Sequence, residues 1–476
     1  MRYDTAPPTK LFLRCALPSV VSMAVSSVYT IADGIFVGRF LGQQALAAVN
    51  LVMPLIMICF GLSDMVAVGS SVQISIQLGQ KEREGACRTF SACLRLIALS
   101  SCGIGLLCLF LGGPALAALG AEPEVVRLAA EYLRIYALSL PLTAGFFAID
   151  NYLRICGRQR YSMVMNVSAA VLNILLDFLF IAVLRYGVWS AALASCISLS
   201  AGMVMGLLPF LGGRLPLAFV KGGISPRRLF RLMANGASEL LSNVASSLLM
   251  LILNAVLLRL GGSMAVAACS IVLYVDSIVT SMVFGLADSM QPAISYCYGC
   301  KLPKRVWALE KRVLIAAAAI SLGALVLMRG GGGWLIALFV PQEDPALLSM
   351  SLRAMELFSV SYLVSWVDAC LSSYLTALDR PGRSLMVSLC GTLVFPVAAL
   401  WVLAPVWGLD GVWYMPAAAG AASAAVGVAA AAVGRKERRP AEAEEGCEAG
   451  KDLRQEVRNK RRTSKNADKE QNNMRI

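Results

Sequence analysis

Long apolar segments separated by short polar or basic stretches recur along most of the chain. Twelve of them can be drawn, at about 16–38, 49–72, 88–112, 127–150, 162–184, 188–211, 237–259, 265–292, 310–328, 350–374, 384–404 and 410–434. Each has roughly the 20 residues that a helix needs to cross a bilayer core, and they are too long and lack the alternation of barrel strands. The pattern therefore predicts an all-α integral membrane protein with twelve transmembrane helices.

The second half of this pattern repeats the first. Gly42 and Gly261 each follow the end of a long apolar segment, and segment 186–192 is echoed by 407–413, so the lag is about 220 residues. Two copies of a multi-helix membrane unit predict two six-helix lobes, and the cleft between such lobes is where transporters place their substrate.

The boundaries of the pattern predict five regions. They are a cytoplasmic N-terminus (1–15), an N-terminal lobe (16–211), a cytoplasmic linker (212–236), a C-terminal lobe (237–434) and a disordered cytoplasmic tail (435–476). The tail is polar, mixed in charge and poor in aromatic residues, which is typical of disorder. No cleavable signal-peptide pattern precedes the first apolar segment, so we expect that segment to be retained as a helix.

Loops rich in lysine and arginine alternate along the chain with loops that have few of them. With the N-terminus inside, the inner loops hold Lys81, Arg83, Arg88, Arg154, Arg158, Arg160, Arg214, Lys221, Arg227, Arg228, Arg231, Lys301, Lys304, Arg305, Lys311, Arg312, Arg380 and Arg383. The outer loops hold little beyond Arg39, Arg185, Arg259 and Arg329. This asymmetry predicts a multi-pass cell-membrane protein with both termini in the cytoplasm. It also accounts for most of the net charge of +13 without a nucleic-acid partner.

The composition excludes several kinds of chemistry. Only 15% of the 476 residues are charged, and histidine is absent, which removes imidazole metal sites and histidine proton relays. Cys297 and Cys300 form a lone C-x-x-C without the second pair that a zinc site needs. No P-loop, dinucleotide fingerprint, nucleophile elbow or zinc-protease helix occurs. We therefore expect a protein that is not an enzyme, has no cofactor and no resident metal, and depends on an ion gradient for any pumping.

Carboxylates inside membrane spans are costly and usually face the interior of the bundle. The candidates are Asp33, Asp64, Asp150, Asp177, Glu239, Asp276, Asp288 and Asp368. Asn173 and Asp177 are four residues apart and share one helix face. Two carboxylates that meet away from water cannot both stay ionised cheaply, so Asp33 and Asp177 are candidate proton carriers. The alternative is that Asp33 caps a turn near the membrane surface and Asp177 bonds to a neighbouring helix.

The other intramembrane candidates are more ambiguous. For Asp64 and Asp288, which follow glycines, we favour a structural role at a helix break. Glu239 is either a cation ligand of the second lobe or an acid near the start of its helix. Asp368 is a candidate ion or substrate contact. Pro18 lacks a backbone N–H, so it can let the first helix bend.

Several stretches, in this order and spacing, carry a family resemblance. They are 32–39, 45–49, 75–79, 173–177, 187–192 and 408–412. Together they make residues 10–434 resemble the multidrug and toxic compound extrusion (MATE) family, in particular the bacterial multidrug exporters.

This resemblance implies two six-helix bundles around a central cavity and antiport of organic cations against H⁺ or Na⁺. It implies a cell-membrane transporter that acts as a monomer and exports xenobiotics such as antibiotics. Asp33, Asn173 and Asp177 match an ion site of the N-terminal lobe, and Pro18 is the natural hinge for bending of the first helix. Where members often have proline after the matching aspartate, this chain has Phe178, so we expect a straighter fifth helix.

The resemblance also makes Glu239 and Asp368 possible C-terminal-lobe counterparts of the acids that some Na⁺-coupled members use.

Two other functions are alternatives. A lipid-linked oligosaccharide flippase of the same superfamily would need cationic side chains along the cavity, for which Arg95, Arg134 and Arg353 are candidates; the acids argue against it. A membrane-embedded enzyme would need histidine, paired metal ligands or an activated nucleophile, which the chain lacks.

Overall fold

The computed structural model describes Tyr3 and residues 5–117, 122–213, 215–337 and 345–436. Residues 1–425 belong to one compact unit, and the described end of the last helix, from Val426 to Lys436, belongs to a second. The spans are Pro8–Leu41, Gln44–Gly79, Arg83–Ala117, Pro123–Ile155, Gln159–Val183, Trp189–Leu211, Pro226–Gly262, Met264–Gly299, Pro303–Ile336, Pro345–Leu363 with Ser365–Ala377, Pro381–Trp407 and Leu409–Ala432. The tenth is a helix pair bent by 41°, and counting it as one span confirms the prediction of twelve.

Three predicted boundaries differ from the structure. The first helix begins at Pro8, inside the predicted N-terminus, and the seventh at Pro226, inside the predicted linker. Proline suits the first helical position, and apolar patterning marks only the part of a helix that crosses the membrane. The predicted tail lies outside the described residues except for Arg435 and Lys436, which end the last helix.

Short π-helical segments follow both aspartates of the predicted ion site. Val37–Leu41 extends the first helix, and Phe178–Val183 extends the fifth. The fifth helix therefore departs from regular α-helical hydrogen bonding just beyond Asp177 without a proline there. That this helix is straighter than in members with proline stays a prediction. The eleventh span contains a third such segment, Cys390–Val394.

The lobes share apolar cores on only one side. We call this the linker side, because it carries loop 215–225 together with the turns 80–82, 156–158, 300–302 and 378–380. Here Leu232 of the seventh span packs into the core of the N-terminal lobe, and the start of the first helix packs into that of the C-terminal lobe. On the opposite side each lobe has a core of its own.

Glycines bring the lobes together on the linker side. A Cβ atom at Gly69 would overlap the carbonyl oxygen of Leu232, and one at Gly236 would overlap that of Met65. Near the ends of the second and eighth spans, Gly79 and Gly299 meet in the same way. These two glycines are 220 positions apart, which is the lag of the internal repeat, so equivalent positions of the two lobes meet there. The lobes are thus in close contact on the linker side, whereas on the other side their apolar cores are separate.

Candidate functional site

A cavity of about 390 Å³ is lined by four carboxylates from both lobes. Asp64 comes from the second span, while Glu239, Asp288 and Asp368 come from the seventh, eighth and tenth. No lysine or arginine is among the described residues that line it. The volume lies within the range of small-molecule sites, and the lining is suited to a cation.

Hydroxyl groups hold two of these acids in place. Ser373 Oγ donates to Asp288 Oδ1 at 3.0 Å, and Ser423 Oγ donates to Asp368 Oδ1 at 2.6 Å. Gly391, in the π segment of the eleventh span, lies so close that a Cβ there would overlap the carboxylate of Asp368. The apolar part of the lining includes Trp366, which an organic cation can contact through its ring face.

The positions of Asp64 and Asp288 differ from the favoured expectation. Both spans continue as helix through these residues, and both side chains face the cavity and do not mark helix breaks. The repeated Gly-Leu-x-Asp sequence around these two residues is a signal from which a shared site could have been inferred. Glu239 also lies in the cavity, well inside its helix, which begins at Pro226.

The structure brings Asp33, Asn173 and Asp177 together in the N-terminal lobe. Their exposed fractions are 9%, 1% and 0%, and the two carboxyl groups are within electrostatic reach of each other. Asn173 Nδ2 donates to Ser195 Oγ at 3.1 Å. The first helix runs on to Leu41, so Asp33 does not cap a turn at a helix end.

Most oxygens of this site have no hydrogen-bond partner in the described part of the chain. They are Asp33 Oδ1, Asn173 Oδ1 and both carboxylate oxygens of Asp177. Buried polar atoms are rarely left unpaired in proteins, so these oxygens are available to a proton or a small cation. A cavity of about 40 Å³, lined in part by Tyr29, Asn173 and Ser195, adjoins the site and has room for about one water molecule.

Two other intramembrane acids are fully engaged. Asp150 pairs with Arg154 at 2.6 Å and accepts hydrogen bonds from Ser162 and Asn166. Asp276 accepts from Tyr362 at 2.8 Å and from Thr280 at 3.2 Å. With their charge or lone pairs satisfied, these acids hold the helices together.

Pro18 lies where the first helix is tightly packed against the eighth span. It is buried, and its carbonyl oxygen accepts from Ser22 Oγ at 2.9 Å. Next to it, the carbonyl oxygen of Ser19 is 3.2 Å from the position of a Cβ on Gly285. Farther along, a Cβ on Gly34 would meet nothing within 4 Å. Pro18 thus lies inside the packed part of the first helix, and the open space around Gly34 lies 16 residues farther along.

Sequence reasoning missed one buried acid. Glu310 of the ninth span is 1% exposed, and its Oε1 has no hydrogen-bond partner among the described residues. It lay at the predicted edge of an apolar segment, where an acid is ordinarily exposed, so the pattern gave no signal for it.

Comparisons with known proteins agree with this architecture. The multidrug export protein MepA of Staphylococcus aureus (strain N315) is 24% identical over 417 residues, covering 86% of this chain and 90% of the relative. MepA of Staphylococcus saprophyticus subsp. saprophyticus is 25% identical over 415 residues, with the same coverage.

Solved structures show the same fold. A crystal structure of a MATE in complex with MaL6 has a TM-score of 0.86 at 23% identity, covering 91% of this chain and 97% of the other. An outward-facing multidrug resistance MATE family transporter of the MOP superfamily has a TM-score of 0.83 at 24% identity, with 91% and 98% coverage.

The family comparison also recovers the internal repeat. The MatE family model matches twice, over residues 18–179 and 240–402, once in each predicted lobe. Because these two matches cover more than half of the chain and agree with its twelve spans, the chain belongs to the MatE family, the multidrug and toxic compound extrusion transporters.

Proposed function

We propose that this protein is a secondary active transporter that exports organic cations, drugs among them, in exchange for H⁺ or Na⁺ by alternating access. The observation that carries the proposal is the cavity lined by acids of both lobes and by no described lysine or arginine. A cation bound between the lobes stabilises the state in which the acids of both lobes contact it. Cation binding and the movement of the lobes are therefore coupled. The multidrug export function named for the two relatives supports this assignment.

The linker side is proposed to face the cytoplasm. Most loop lysines and arginines lie there, as the positive-inside rule requires, and both termini would then be cytoplasmic in the cell membrane. On this assignment the closed linker side and the open opposite side make the conformation outward-facing. The cavity would load from the cytoplasm after the lobes rock to open the linker side, and one copy of the chain would suffice.

Coupling is assigned to Asp33, Asn173 and Asp177. Their unpartnered oxygens lie in a buried pocket, where a carboxylate is costly to keep ionised. A proton that enters from outside and neutralises Asp33 or Asp177, or a Na⁺ that their oxygens bind, would remove that cost. The fifth helix changes to π geometry directly after Asp177, and the first helix does so four residues after Asp33, so ion binding there can alter the helices that border the cleft. Loss of negative charge then weakens cation binding and releases the drug.

No observation favours the flippase alternative. Arg95 donates to the backbone oxygen of Gly222 in the linker, and Arg353 pairs with Asp410 at 3.0 Å. Arg134 is exposed and is not part of the described cavity lining. A pyrophosphate would thus meet acids in this cavity.

The test uses proteoliposomes preloaded with a fluorescent organic cation, under a proton gradient and then a sodium gradient. Asp33→Asn and Asp177→Asn are compared with wild type and with Asp410→Asn, a control whose carboxylate is exposed and pairs with Arg353 outside the cavity. Proton-driven transport that is lost in either site variant and kept in the control supports the proposal. Transport by sodium alone would assign Na⁺ as the coupling ion, and normal export by both site variants would overturn the assigned ion site.

A further inference from the structure

The segment that precedes the first helix ties the two lobes together on the linker side. Tyr3 is 3% exposed, and its ring lies in the C-terminal-lobe core with its centroid 5.6 Å from that of Tyr296. Arg305 Nε donates to the Tyr3 carbonyl oxygen at 2.8 Å, and Arg305 also donates to the carbonyl oxygen of Ala6. The ring and backbone of Tyr3 are therefore anchored to the eighth and ninth spans.

The hydroxyl group of Tyr3 reaches the other lobe. It donates to the carbonyl oxygen of Arg154 at 2.6 Å and accepts from Gln159 Nε2 at 2.9 Å. Arg154 and Gln159 flank the turn between the fourth and fifth spans. One phenol thus carries two hydrogen bonds across the lobe junction, from an anchor in the C-terminal lobe to a corner of the N-terminal lobe.

Opening of the linker side must break these bonds. The contact between Gly79 and Gly299 lies on the same side, and separation of the lobes there moves Arg154 away from the anchor of Tyr3. The N-terminal-lobe corner does not depend on the phenol, because the Arg154 oxygen also accepts from Gln159 Nε2 and from the Gly157 N–H. The Tyr3 hydroxyl therefore stabilises the closed junction more than it stabilises either lobe by itself.

We propose that Tyr3 is a positioning residue of the transport cycle: its hydroxyl stabilises the state closed on the linker side and so sets the balance between the two states. The inference rests on the proposed alternating access. It adds a determinant outside both the cavity and the ion site. A protein without this hydroxyl is expected to open its linker side more often while keeping its fold.

The test is Tyr3→Phe in the full-length chain, reconstituted in lipid nanodiscs. Hydrogen–deuterium exchange of segments 76–82 and 296–302 reports opening of the junction. Loss of one net hydrogen bond predicts exchange there about fivefold faster, equivalent to about 1 kcal/mol. Tyr161→Phe is the matched control, because its hydroxyl donates to the Met205 oxygen at 2.7 Å within the N-terminal lobe.

A second variant probes the anchor. Arg305→Gln removes the strong donor to the Tyr3 carbonyl and should speed exchange in the same two segments. The double variant should then exchange less than the product of the single effects, because both act through one segment. Unchanged exchange in Tyr3→Phe, or faster exchange throughout the protein, would overturn the inference. This measurement needs no substrate, so its outcome is separate from that of the cation-transport assay.

Discussion

Substitution of Gly391 by alanine offers a direct test of the acidic cavity. The added Cβ would overlap the Asp368 carboxylate and lie 2.8 Å from Ser423 Oγ, whereas ordinary contact begins at 3.4 Å. The added Cβ is attached to the rigid backbone of the eleventh span, so the Asp368 carboxylate has to move instead. We expect Asp368 to shift by about 1 Å or more and to lose its hydrogen bond from Ser423.

The size of the expected change in cation affinity follows from the lost hydrogen bond between Ser423 and Asp368. A hydrogen bond to a charged group contributes about 1.5–3 kcal/mol, part of which water in the open cavity restores. A net loss of about 1–2 kcal/mol corresponds to a Kd for an organic cation that is about five- to thirtyfold higher. Ser423→Ala, which removes the donor without moving the carboxylate, should raise the Kd less.

The assay is fluorescence titration of the purified protein with an organic cation, with thermal unfolding measured in parallel. Gly382→Ala is the matched control, because a Cβ at this position in the same span would meet nothing within 4 Å. A Kd that rises in Gly391→Ala and not in Gly382→Ala, at similar Tm, is the expected result. Wild-type affinity in Gly391→Ala would refute the role assigned to Asp368.

Three further predictions follow from packing and charge. Gly236→Ala forces the second and seventh spans apart at a cost of about 1–3 kcal/mol, so hydrogen exchange at the linker-side junction should rise, while Gly103→Ala, with nothing within 4 Å, should leave it unchanged. Arg154→Gln leaves Asp150 without its buried partner and should lower stability by about 3–5 kcal/mol in thermal unfolding, whereas the exposed Arg127→Gln should not change Tm. Asn173→Ala should raise the ion concentration for half-maximal transport, because it removes an oxygen from the ion site; an unchanged value would contradict that assignment.

The candidate site was predictable where local spacing decided it. Asn173 and Asp177 share a helix face by spacing alone, and an acid in an apolar segment points to the bundle interior. Asp64 and Asp288 were harder, because a Gly-x-x-Asp sequence suits both a kink and a cavity lining. Only the packing of the second span against the seventh and eighth shows that their side chains reach a shared cavity.

Some features had no local signal at all. Glu310 lies at the edge of an apolar segment, and whether an acid there is exposed or buried depends on which helices pack over it. The hydrogen bonds of Tyr3 join residues that are 151 and 156 positions apart. The π segment that begins at Phe178 also had no sequence signal, because backbone hydrogen bonding there responds to neighbouring helices as well as to the residue itself.

The sequence by itself determined the number of spans, the two-lobe repeat, the basic side and the identity of the intramembrane acids. Each of these depends on the transfer of side chains between water and lipid, which is a property of individual residues and short segments. The tertiary structure alone decided which acids share a cavity, which are neutralised by partners, and which side of the cleft is closed. Those outcomes depend on the distances between helices, and in lipid these distances are set by side-chain packing and close glycine contacts, with no pattern in any single segment to reveal them.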